Sequence, residues 1–297
     1  MATGSARFAA MPAPVLVLGA IVSVQLGAAI AAGLIREIGP VPTVMIRLDA
    51  AALILLAFAR PSLRGRTRRD WAVMALLGLS LVAMNISFYE AIARLPLGVV
   101  TTIEFLGPLG LAAIASRRPR DLIAVAVALA GVVAVSGALT ASWVGLEPAG
   151  FVFAFAAGAF WAAYILCSRA VGQRWRQLDG LAVAMGLAAL VVTPMGIAAS
   201  HGLTISAAQV GVGALIGVLS SVVPYSLELL ALRRIEPRVF GILLSLEPAV
   251  AAFAGLLVLG QTLAAAQVIG MALVIAASAL VLASQRRPVE EEAAEIS

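Results

Sequence analysis

The carboxyl group of Glu104 lies inside an apolar stretch, in the segment TIEFLGPLG (Thr102–Gly110). The surrounding run, from Leu97 to Ser116, holds no other charged residue and is long enough to cross a bilayer as a helix. A charged group near the centre of a membrane costs about 3 kcal/mol or more, so it is expected to face protein or a watery cavity. In such a place a carboxyl group can bind a cation or gain and lose a proton.

A second acid in an apolar run is Glu247, in the segment SLEPAV. A proline follows each acid, Pro108 after Glu104 and Pro248 after Glu247, and Pro224 lies in the preceding run. Because proline has no N–H, the carbonyl four residues earlier loses its helical hydrogen bond, and for Pro108 that carbonyl belongs to Glu104 itself. We predict that all three prolines are helix-breaking and that the freed carbonyls beside the two acids bind cations or ligand amines.

Arg47, in the segment MIRLDAA, is the arginine that lies well inside a predicted span. Three interpretations remain open from the sequence. Its guanidinium group can bind a substrate carboxylate through two parallel hydrogen bonds, or it can neutralise Glu104. Alternatively, its long side chain extends to the membrane interface and has no part in binding.

Other polar groups within the predicted spans are weaker evidence for a binding role. Six are candidates to line a substrate path, although Tyr and Trp also serve as interface belts and packing: Gln25, Asn85, Tyr89, Trp161, Tyr164 and Tyr225. Glu90 and Glu228 lie near span ends, where a solvated role is predicted.

The elements that must position these residues are membrane helices. The chain is 62% hydrophobic and 12% charged, with a mean hydropathy of +1.07, whereas a soluble domain carries about twice that charge fraction. Ten apolar runs predict an all-α, polytopic membrane protein with these spans: 14–34, 41–59, 71–91, 97–116, 121–139, 149–169, 178–199, 209–231, 238–259 and 264–284.

The arginines alternate between the two sets of connecting loops. Seventeen of the 20 lie in the terminal segments and in alternate loops, two lie in the opposite loops at Arg36 and Arg94, and Arg47 is in a span. The positive-inside rule therefore places both termini in the cytoplasm. Loop arginines of this kind contact lipid headgroups, so the net charge of +5 does not indicate nucleic-acid binding.

The two halves of the chain resemble each other at an offset of about 140 residues. LGAIV matches AGAFW, and FLGPLG matches SLEPAV, with Pro108 aligned on Pro248. Five spans per half reverse the entry side of the second copy, which predicts an inverted repeat of the kind found in secondary transporters. The predicted divisions are a cytoplasmic segment at 1–13, repeats at 14–139 and 149–284, a periplasmic linker at 140–148 and a cytoplasmic acidic tail at 285–297.

Several reactive groups are rare in this sequence. It has no lysine, one histidine (His201) and one cysteine (Cys167), which argues against a P-loop, a Schiff base, a metal cluster or a disulfide. We predict no enzyme activity, cofactor or metal, with protons, lipid and a small solute as partners. The oligomeric state is not determined by the sequence.

Three segments carry a family resemblance: PLGVVTTIEFLGPLGLAAIASRRPRD (Pro96–Asp121), PYSLELLALRRIEPRVFGILLSLEPAVAA (Pro224–Ala252) and FWAAYILCSRA (Phe160–Ala170). Through them the chain resembles the ten-helix drug/metabolite transporter superfamily of the EamA type. The resemblance implies two five-helix repeats in a bacterial cytoplasmic membrane. It also implies export of small neutral amino acids, such as threonine and homoserine, coupled to the proton gradient.

The resemblance extends to the candidate site, because Glu104, Glu247 and Arg47 fall on motif positions of that family. Gln261 departs from the pattern, since such proteins often carry glutamate there, and Asp49 and Glu90 are additional acids. These departures leave the substrate open.

The expected mechanism is alternating access. The ammonium group of an amino acid would meet Glu104 or Glu247, its carboxylate would meet Arg47 or a helix N-terminus, and protonation of a glutamate would release it. The alternatives are a transporter of another small metabolite or a hydrophobic cation, and a membrane enzyme or sensor.

Overall fold

A computed structural model describes residues 11–95, 97–116, 119–137, 139, 146–176, 178–202, 204–250 and 264–295 of the chain. Within these ranges the secondary structure is helical and contains no strand, which confirms the predicted all-α class. The helices are α1 (Ala13–Ile38), α2 (Pro40–Ala59), α3 (Arg68–Ile92), α4 (Leu97–Ala115), α5 (Pro119–Val135), α6 (Pro148–Arg174), α7 (Asp179–Ala199), α8 (Ala207–Gly217), a π-helical segment (Val218–Val222), α9 (Val223–Leu232), α10 (Pro237–Leu244) and α11 (Ala265–Glu295).

Several helices have the length and composition of membrane spans. Six qualify among the described residues: Pro40–Ala59, Arg68–Ile92, Pro148–Arg174, Asp179–Ala199, Ala207–Leu232 and Ala265–Leu282. Shorter apolar stretches cover Ala13–Ala28 and Val99–Ala115. Large apolar side chains lie on their outer surfaces, with Ile114 87% and Phe58 79% exposed. An apolar exterior of this kind suits lipid, and the protein is a multi-pass helical membrane protein.

The helix ends follow local sequence signals. Thr67 begins α3 with a capping box, in which its side chain accepts from the Asp70 N–H and the Asp70 carboxylate accepts from the Thr67 N–H. Ser206 and Gln209 form the same motif at α8. Proline occupies the first turn of α2, α6 and α10, where its missing N–H has no partner to lose.

The helices extend beyond several of the predicted spans. The first continues to Ile38, α6 continues to Arg174, and α11 is helical through Glu295, past the predicted span end at 284. A hydropathy pattern ends at the first polar residues, but a helix can run on into the interfacial layer. The predictions for residues 1–10, for most of the linker at 140–148, for 251–259 and for Gln261 lie outside the described residues.

The prolines act differently from one another. Pro108 lies inside α4, which runs without interruption from Leu97 to Ala115, so the predicted break there is corrected. Pro224 follows directly on the π-helical segment, and the whole stretch Ala207–Leu232 stays helical; the predicted break is replaced by a local change of winding. Ahead of Pro248, α10 ends at Leu244 and helix resumes two turn residues later at Glu247, so a helix-breaking role for Pro248 stays a prediction.

Close packing holds α4 against two neighbours. A Cβ atom on Gly107 would lie 1.9 Å from the carbonyl oxygen of Gly158 in α6. On another side of α4, a Cβ atom on Gly241 in α10 would lie 2.6 Å from the carbonyl oxygen of Pro108. Small residues permit this backbone approach in membrane proteins. The same contacts support a continuous helix around Pro108, since α4 is held from both sides.

Arginine-rich connections gather at one end of the bundle. Arg174 pairs with Asp70 over 3.2 Å, and Arg238 pairs with the buried Asp121. The guanidinium group of Arg66 lies 3.9 Å from the ring centre of Trp175, a cation–π distance. These contacts join the connection at 60–70 to that at 169–176, and Asp121 to the connection at 233–238.

Candidate substrate cavity

A cavity of about 570 Å³ lies between helices from both halves of the chain, within the size range of small-molecule sites. It is lined by Val24, Gln25, Ala28, Ala31, Ile35, Arg47, Phe88, Tyr89, Ile92, Thr101, Glu104, Phe105, Val135, Ser136, Trp161, Ser220, Glu247, Pro248 and Gln267. Glu104 and Glu247 therefore face one common space, which agrees with the expectation from the sequence.

The carboxyl group of Glu104 has no hydrogen-bond partner among the described residues, and the acidic group within electrostatic reach of it is Glu247. Its helix is fixed by the contact of Gly107 with α6. The carbonyl that Pro108 frees does not point at an obvious ligand site, because a Cβ atom on Gly158 would lie 2.8 Å from the Glu104 carbonyl oxygen. Thus the side chain of Glu104 faces the cavity while its main chain lies against α6.

Glu247 begins the helical segment that follows the interruption after α10. The amide nitrogen of Gln25 lies 3.5 Å from both Oε1 and the carbonyl oxygen of Glu247. At that distance the bonds are weak. The two carboxyl groups of the cavity are therefore held loosely by the protein itself, and each retains acceptor capacity for a ligand.

Arg47 is buried, with 8% of its surface exposed, so the interpretation that it extends to the membrane interface is wrong. Its Nε donates to Ser221 Oγ over 2.8 Å, and its Nη2 donates to the carbonyl of Ser220 over 2.8 Å and to the Tyr225 hydroxyl over 3.2 Å. It forms no ion pair with Glu104 among the described side chains. A contact with a substrate carboxylate stays a prediction.

These bonds explain why the π-helical segment is stable. Pro224 supplies no N–H. In an α-helix the carbonyl four residues earlier, that of Ser220, would lose its partner. In a π-helix the carbonyl five residues earlier, that of Leu219, would lose its partner. Arg47 donates to the carbonyl of Ser220, and the hydroxyl of Ser23 donates to that of Leu219 over 2.6 Å. Side chains from α2 and α1 thus replace the hydrogen bonds that the proline removes.

A second polar layer lies beneath the cavity. Asn85 donates to the carbonyl of Leu81 over 2.7 Å and lies 3.4 Å from the Tyr225 hydroxyl. The rings of Tyr225 and Tyr164 are 5.3 Å apart. The sequence predicts that Asn85, Tyr164 and Tyr225 line the substrate path. In this conformation they lie next to the cavity but not in its lining.

Glu228 belongs to the same layer and was missed as a site residue. It is 6% exposed and accepts a hydrogen bond from the Tyr164 hydroxyl over 2.7 Å. The predicted solvated role is wrong because α9 packs against α1 and α6, which buries this face. The spacing of Tyr225 and Glu228, three residues apart on one helix face, is the signal in the sequence that points to this cluster.

Aromatic rings form one wall of the cavity. Phe105 and Trp161 meet edge to face with their centres 5.0 Å apart. Phe88 and Tyr89 line the cavity as well, 5.9 Å apart. Aromatic faces near carboxylates attract a cation through both the ring quadrupole and the negative charge.

Small polar residues complete the lining and were not singled out by sequence. Thr101, Ser136 and Gln267 line the cavity, and Ser136 lies 2.7 Å from the Thr102 hydroxyl. Single Ser, Thr and Gln residues are common in membrane helices, so only their position distinguishes them.

Two acids from the sequence analysis lie elsewhere. Glu90 pairs with Arg94, and Asp49 accepts from the Thr193 hydroxyl over 2.8 Å. In the part of the chain that the structure covers, no group of three or more His, Cys, Asp or Glu side chains is suited to a metal ion.

A multi-pass helical bundle with a polar cavity between its two halves has the architecture of a membrane transporter. The sequence profile of the EamA-like transporter family matches residues 148–283. Relatives at 37–38% identity cover about nine tenths of the chain. The chain belongs to the EamA-like transporter family.

These relatives are threonine/homoserine exporters by name, and two of them illustrate the match. The threonine/homoserine exporter RhtA of Salmonella typhimurium (strain SL1344) is 38% identical over 279 residues, which are 93% of each chain. The threonine/homoserine exporter RhtA of Escherichia coli (strain K12) is 37% identical over 268 residues, which are 89% of each chain. One solved crystal structure matches with a TM-score of 0.75 at 20% identity, over 93% of this chain and 98% of the other, and supports the fold.

Proposed function

We propose that this protein is a secondary transporter that exports small neutral amino acids of the threonine and homoserine type across a bacterial cytoplasmic membrane, by proton-coupled alternating access. The choice of cargo rests on the two named exporters, which align with about nine tenths of the chain. The observation that carries the mechanism is the carboxyl group of Glu104, which faces the cavity without a hydrogen-bond partner among the described residues.

The proposed architecture has ten membrane helices in two inverted repeats, 14–139 and 149–284, with a cytoplasmic segment at 1–13, a periplasmic linker at 140–148 and a cytoplasmic tail at 285–297. The helix pairing supports it. Counterpart helices pack on each other, α2 on α7, α4 on α10 and α5 on α11. In addition, α3 packs on α6 as the counterpart stretch α8–α9 packs on α1. An approximate two-fold relation between the halves produces this pattern.

The cavity opens toward the arginine-poor end of the bundle in this proposal. Ile35, Ile92 and Val135 line it, and they lie at the ends of α1, α3 and α5 that lead into arginine-poor connections. The arginine-rich connections contact one another at the opposite end. With the arginine-rich side in the cytoplasm, the described conformation is outward-facing, and the layer of Tyr164, Tyr225 and Glu228 closes the cytoplasmic side.

Substrate and proton compete for the same carboxyl groups in the proposed cycle. A substrate ammonium group forms charge-assisted hydrogen bonds with an ionised Glu104 or Glu247. When the cavity faces the more acidic outside, protonation of the carboxylate removes its charge and weakens its hold on the ammonium group. The substrate leaves, and the protonated protein returns to the cytoplasmic side.

An alternative cargo is another small metabolite or a hydrophobic cation. The aromatic pair Phe105 and Trp161 and the volume of the cavity favour it, because both suit a ligand larger than threonine. Competition with a panel of amino acids and cationic dyes separates the two cargoes.

Everted membrane vesicles test the proposal directly, since export in the cell becomes uptake in the vesicle. We expect labelled threonine to accumulate when the lumen is acidified, and a protonophore to abolish the accumulation. Threonine uptake that is independent of the proton gradient would contradict the proposed proton coupling. Vesicles that accumulate a dye but not threonine or homoserine would remove the amino-acid cargo.

A further inference from the structure

The charged groups that line the cavity are unequal in their availability to a ligand. Among the described lining residues, the acids are Glu104 and Glu247, and the base is Arg47. The Glu104 carboxyl group accepts no hydrogen bond from a described residue, and Glu247 receives only the long contacts from Gln25. Both acids therefore present free acceptor oxygens to whatever enters.

Arg47, by contrast, uses two of its three guanidinium nitrogens, Nε and Nη2, for hydrogen bonds within the protein. Its Nε and Nη2 donate to Ser221, to the carbonyl of Ser220 and to Tyr225, and Tyr89 also lies in electrostatic contact with it. Withdrawal of Nη2 from the Ser220 carbonyl would leave a buried acceptor that Pro224 has already deprived of its helical donor. The guanidinium group is thus a support of the π-helical segment, and a substrate carboxylate that bound Nε and Nη2 together would have to displace these bonds.

The remaining polar lining offers a carboxylate only neutral partners. Gln25, Thr101, Ser136, Ser220 and Gln267 carry no charge. Neutral hydrogen bonds are roughly half as strong as charge-assisted ones. An ammonium group, however, finds two carboxyl groups and the rings of Phe105 and Trp161 in the same cavity.

We infer that this cavity recognises its substrate through the ammonium group and makes no essential contact with a substrate carboxylate. Small primary amines without a carboxylate, such as the amides and methyl esters of small amino acids, are therefore ligands of the same site. The volume of about 570 Å³ accommodates the added group. The inference rests on the proposed function for the location of the site, and it extends the substrate class from zwitterions to cations.

Three probes that differ in charge test it on the purified full-length protein in detergent, with direct binding measured by titration calorimetry. Threonine has both charges, threoninamide keeps only the ammonium group, and N-acetylthreonine keeps only the carboxylate. We expect threoninamide to bind within about threefold of threonine or tighter, and N-acetylthreonine to bind at least about tenfold more weakly, as loss of one charge-assisted contact implies. The inference is overturned if N-acetylthreonine binds like threonine, or if threoninamide fails to bind while threonine binds.

Matched variants show that binding occurs at this cavity. Glu104→Gln should weaken threoninamide binding at least about tenfold, whereas Glu90→Gln, an acid paired with Arg94 outside the cavity, should leave it unchanged. Equal effects of the two variants would contradict the inference. Failure of the proposed function has a different signature, because threonine would then neither bind nor accumulate in vesicles, while threoninamide binding would still report on the charge selectivity of the cavity.

Discussion

The hydroxyl group of Tyr164 in α6 donates a hydrogen bond to Oε2 of Glu228 in α9 over 2.7 Å, and both side chains are buried. The bond crosses between helices and lies beneath the cavity, on the way to the arginine-rich end where α9 leads into Arg233. Among the described residues Tyr164 is the hydrogen-bond partner of this buried carboxyl group, which therefore depends on it.

Tyr164→Phe should therefore destabilise the protein. The substitution keeps the ring but leaves a buried acceptor without its donor, which costs about 1–3 kcal/mol. Thermal unfolding in detergent, followed by loss of the monodisperse peak in size-exclusion chromatography, measures the effect. Glu228→Gln is the matched control, because its amide oxygen still accepts from Tyr164. A melting temperature of Tyr164→Phe equal to that of the parent protein would contradict the structural role.

Loss of the Glu104 carboxyl group should abolish proton-driven transport. Glu104→Gln cannot ionise, so we expect accumulation of threonine in acid-loaded everted vesicles to fall at least about tenfold. Glu90→Gln should retain accumulation near the parent level, since Glu90 lies outside the cavity. Proton-driven uptake by Glu104→Gln at the parent rate would remove Glu104 from the coupling mechanism, whatever the cargo.

The three hydrogen bonds of Arg47 predict a ranked set of stabilities. Hydrogen bonds between membrane helices contribute about 0.6 kcal/mol each on average. Ser221→Ala removes one of these bonds. Arg47→Lys loses the planar guanidinium group that binds Ser221, Ser220 and Tyr225 together, so the free energy of unfolding should fall by up to about 2 kcal/mol. We expect the melting temperature to fall further for Arg47→Lys than for Ser221→Ala. The reverse order would show that Arg47 does not support the π-helical segment.

Two glycines of α4 make a matched pair for the packing of α4 on α6. A Cβ atom on Gly107 would lie 1.9 Å from the Gly158 carbonyl oxygen, so Gly107→Ala forces the helices apart and should cost about 1–3 kcal/mol. A Cβ atom on Gly110 would meet nothing within 4 Å, and Gly110→Ala should be neutral or stabilising through helix propensity. Unfolding curves of both variants measure the change in stability. Equal losses of unfolding free energy at the two positions would refute the close contact of Gly107 with Gly158.

The proposed orientation makes opposite predictions for two loops. In a Cys167→Ser background, which removes the sole cysteine, we introduce either Arg64→Cys or His201→Cys at exposed positions. A membrane-impermeant maleimide added to intact cells of a bacterial host should label His201→Cys and leave Arg64→Cys unlabelled until the cells are broken. The converse labelling pattern would place the arginine-rich loops outside and reverse the direction assigned to the cavity.

The candidate site was predictable in part. Placing charged groups in apolar runs has a large free-energy cost, so the sequence alone pointed to Glu104, Glu247 and Arg47 as residues with a purpose. It left the partner of Arg47 open among a substrate, Glu104 and the interface. In the structure Arg47 is buried and bonded to the segment before Pro224, which rules out the interface and shows no ion pair with Glu104 among the described residues, while a contact with a substrate stays a prediction.

The burial of Glu228 was not predictable from its position along the helix. Its position near the end of an apolar run predicted a solvated side chain, yet α6 covers it and Tyr164 binds it. Distance along a helix predicts depth in the membrane, but the direction of a side chain around the helix depends on which neighbour packs there. That neighbour lies far away in sequence.

The amino-acid sequence is enough to assign a helical multi-pass membrane protein, because apolar length and backbone hydrogen bonding are local properties that lipid enforces on each segment separately. It also determined which buried charges needed an explanation. The packing of the helices was needed to show that Glu104 and Glu247 face one cavity and that Glu228 and Arg47 are hydrogen-bonded to the protein. The physical reason is that the rotation of each helix about its axis is fixed by interhelical packing, such as that of Gly107 on Gly158, and not by hydropathy.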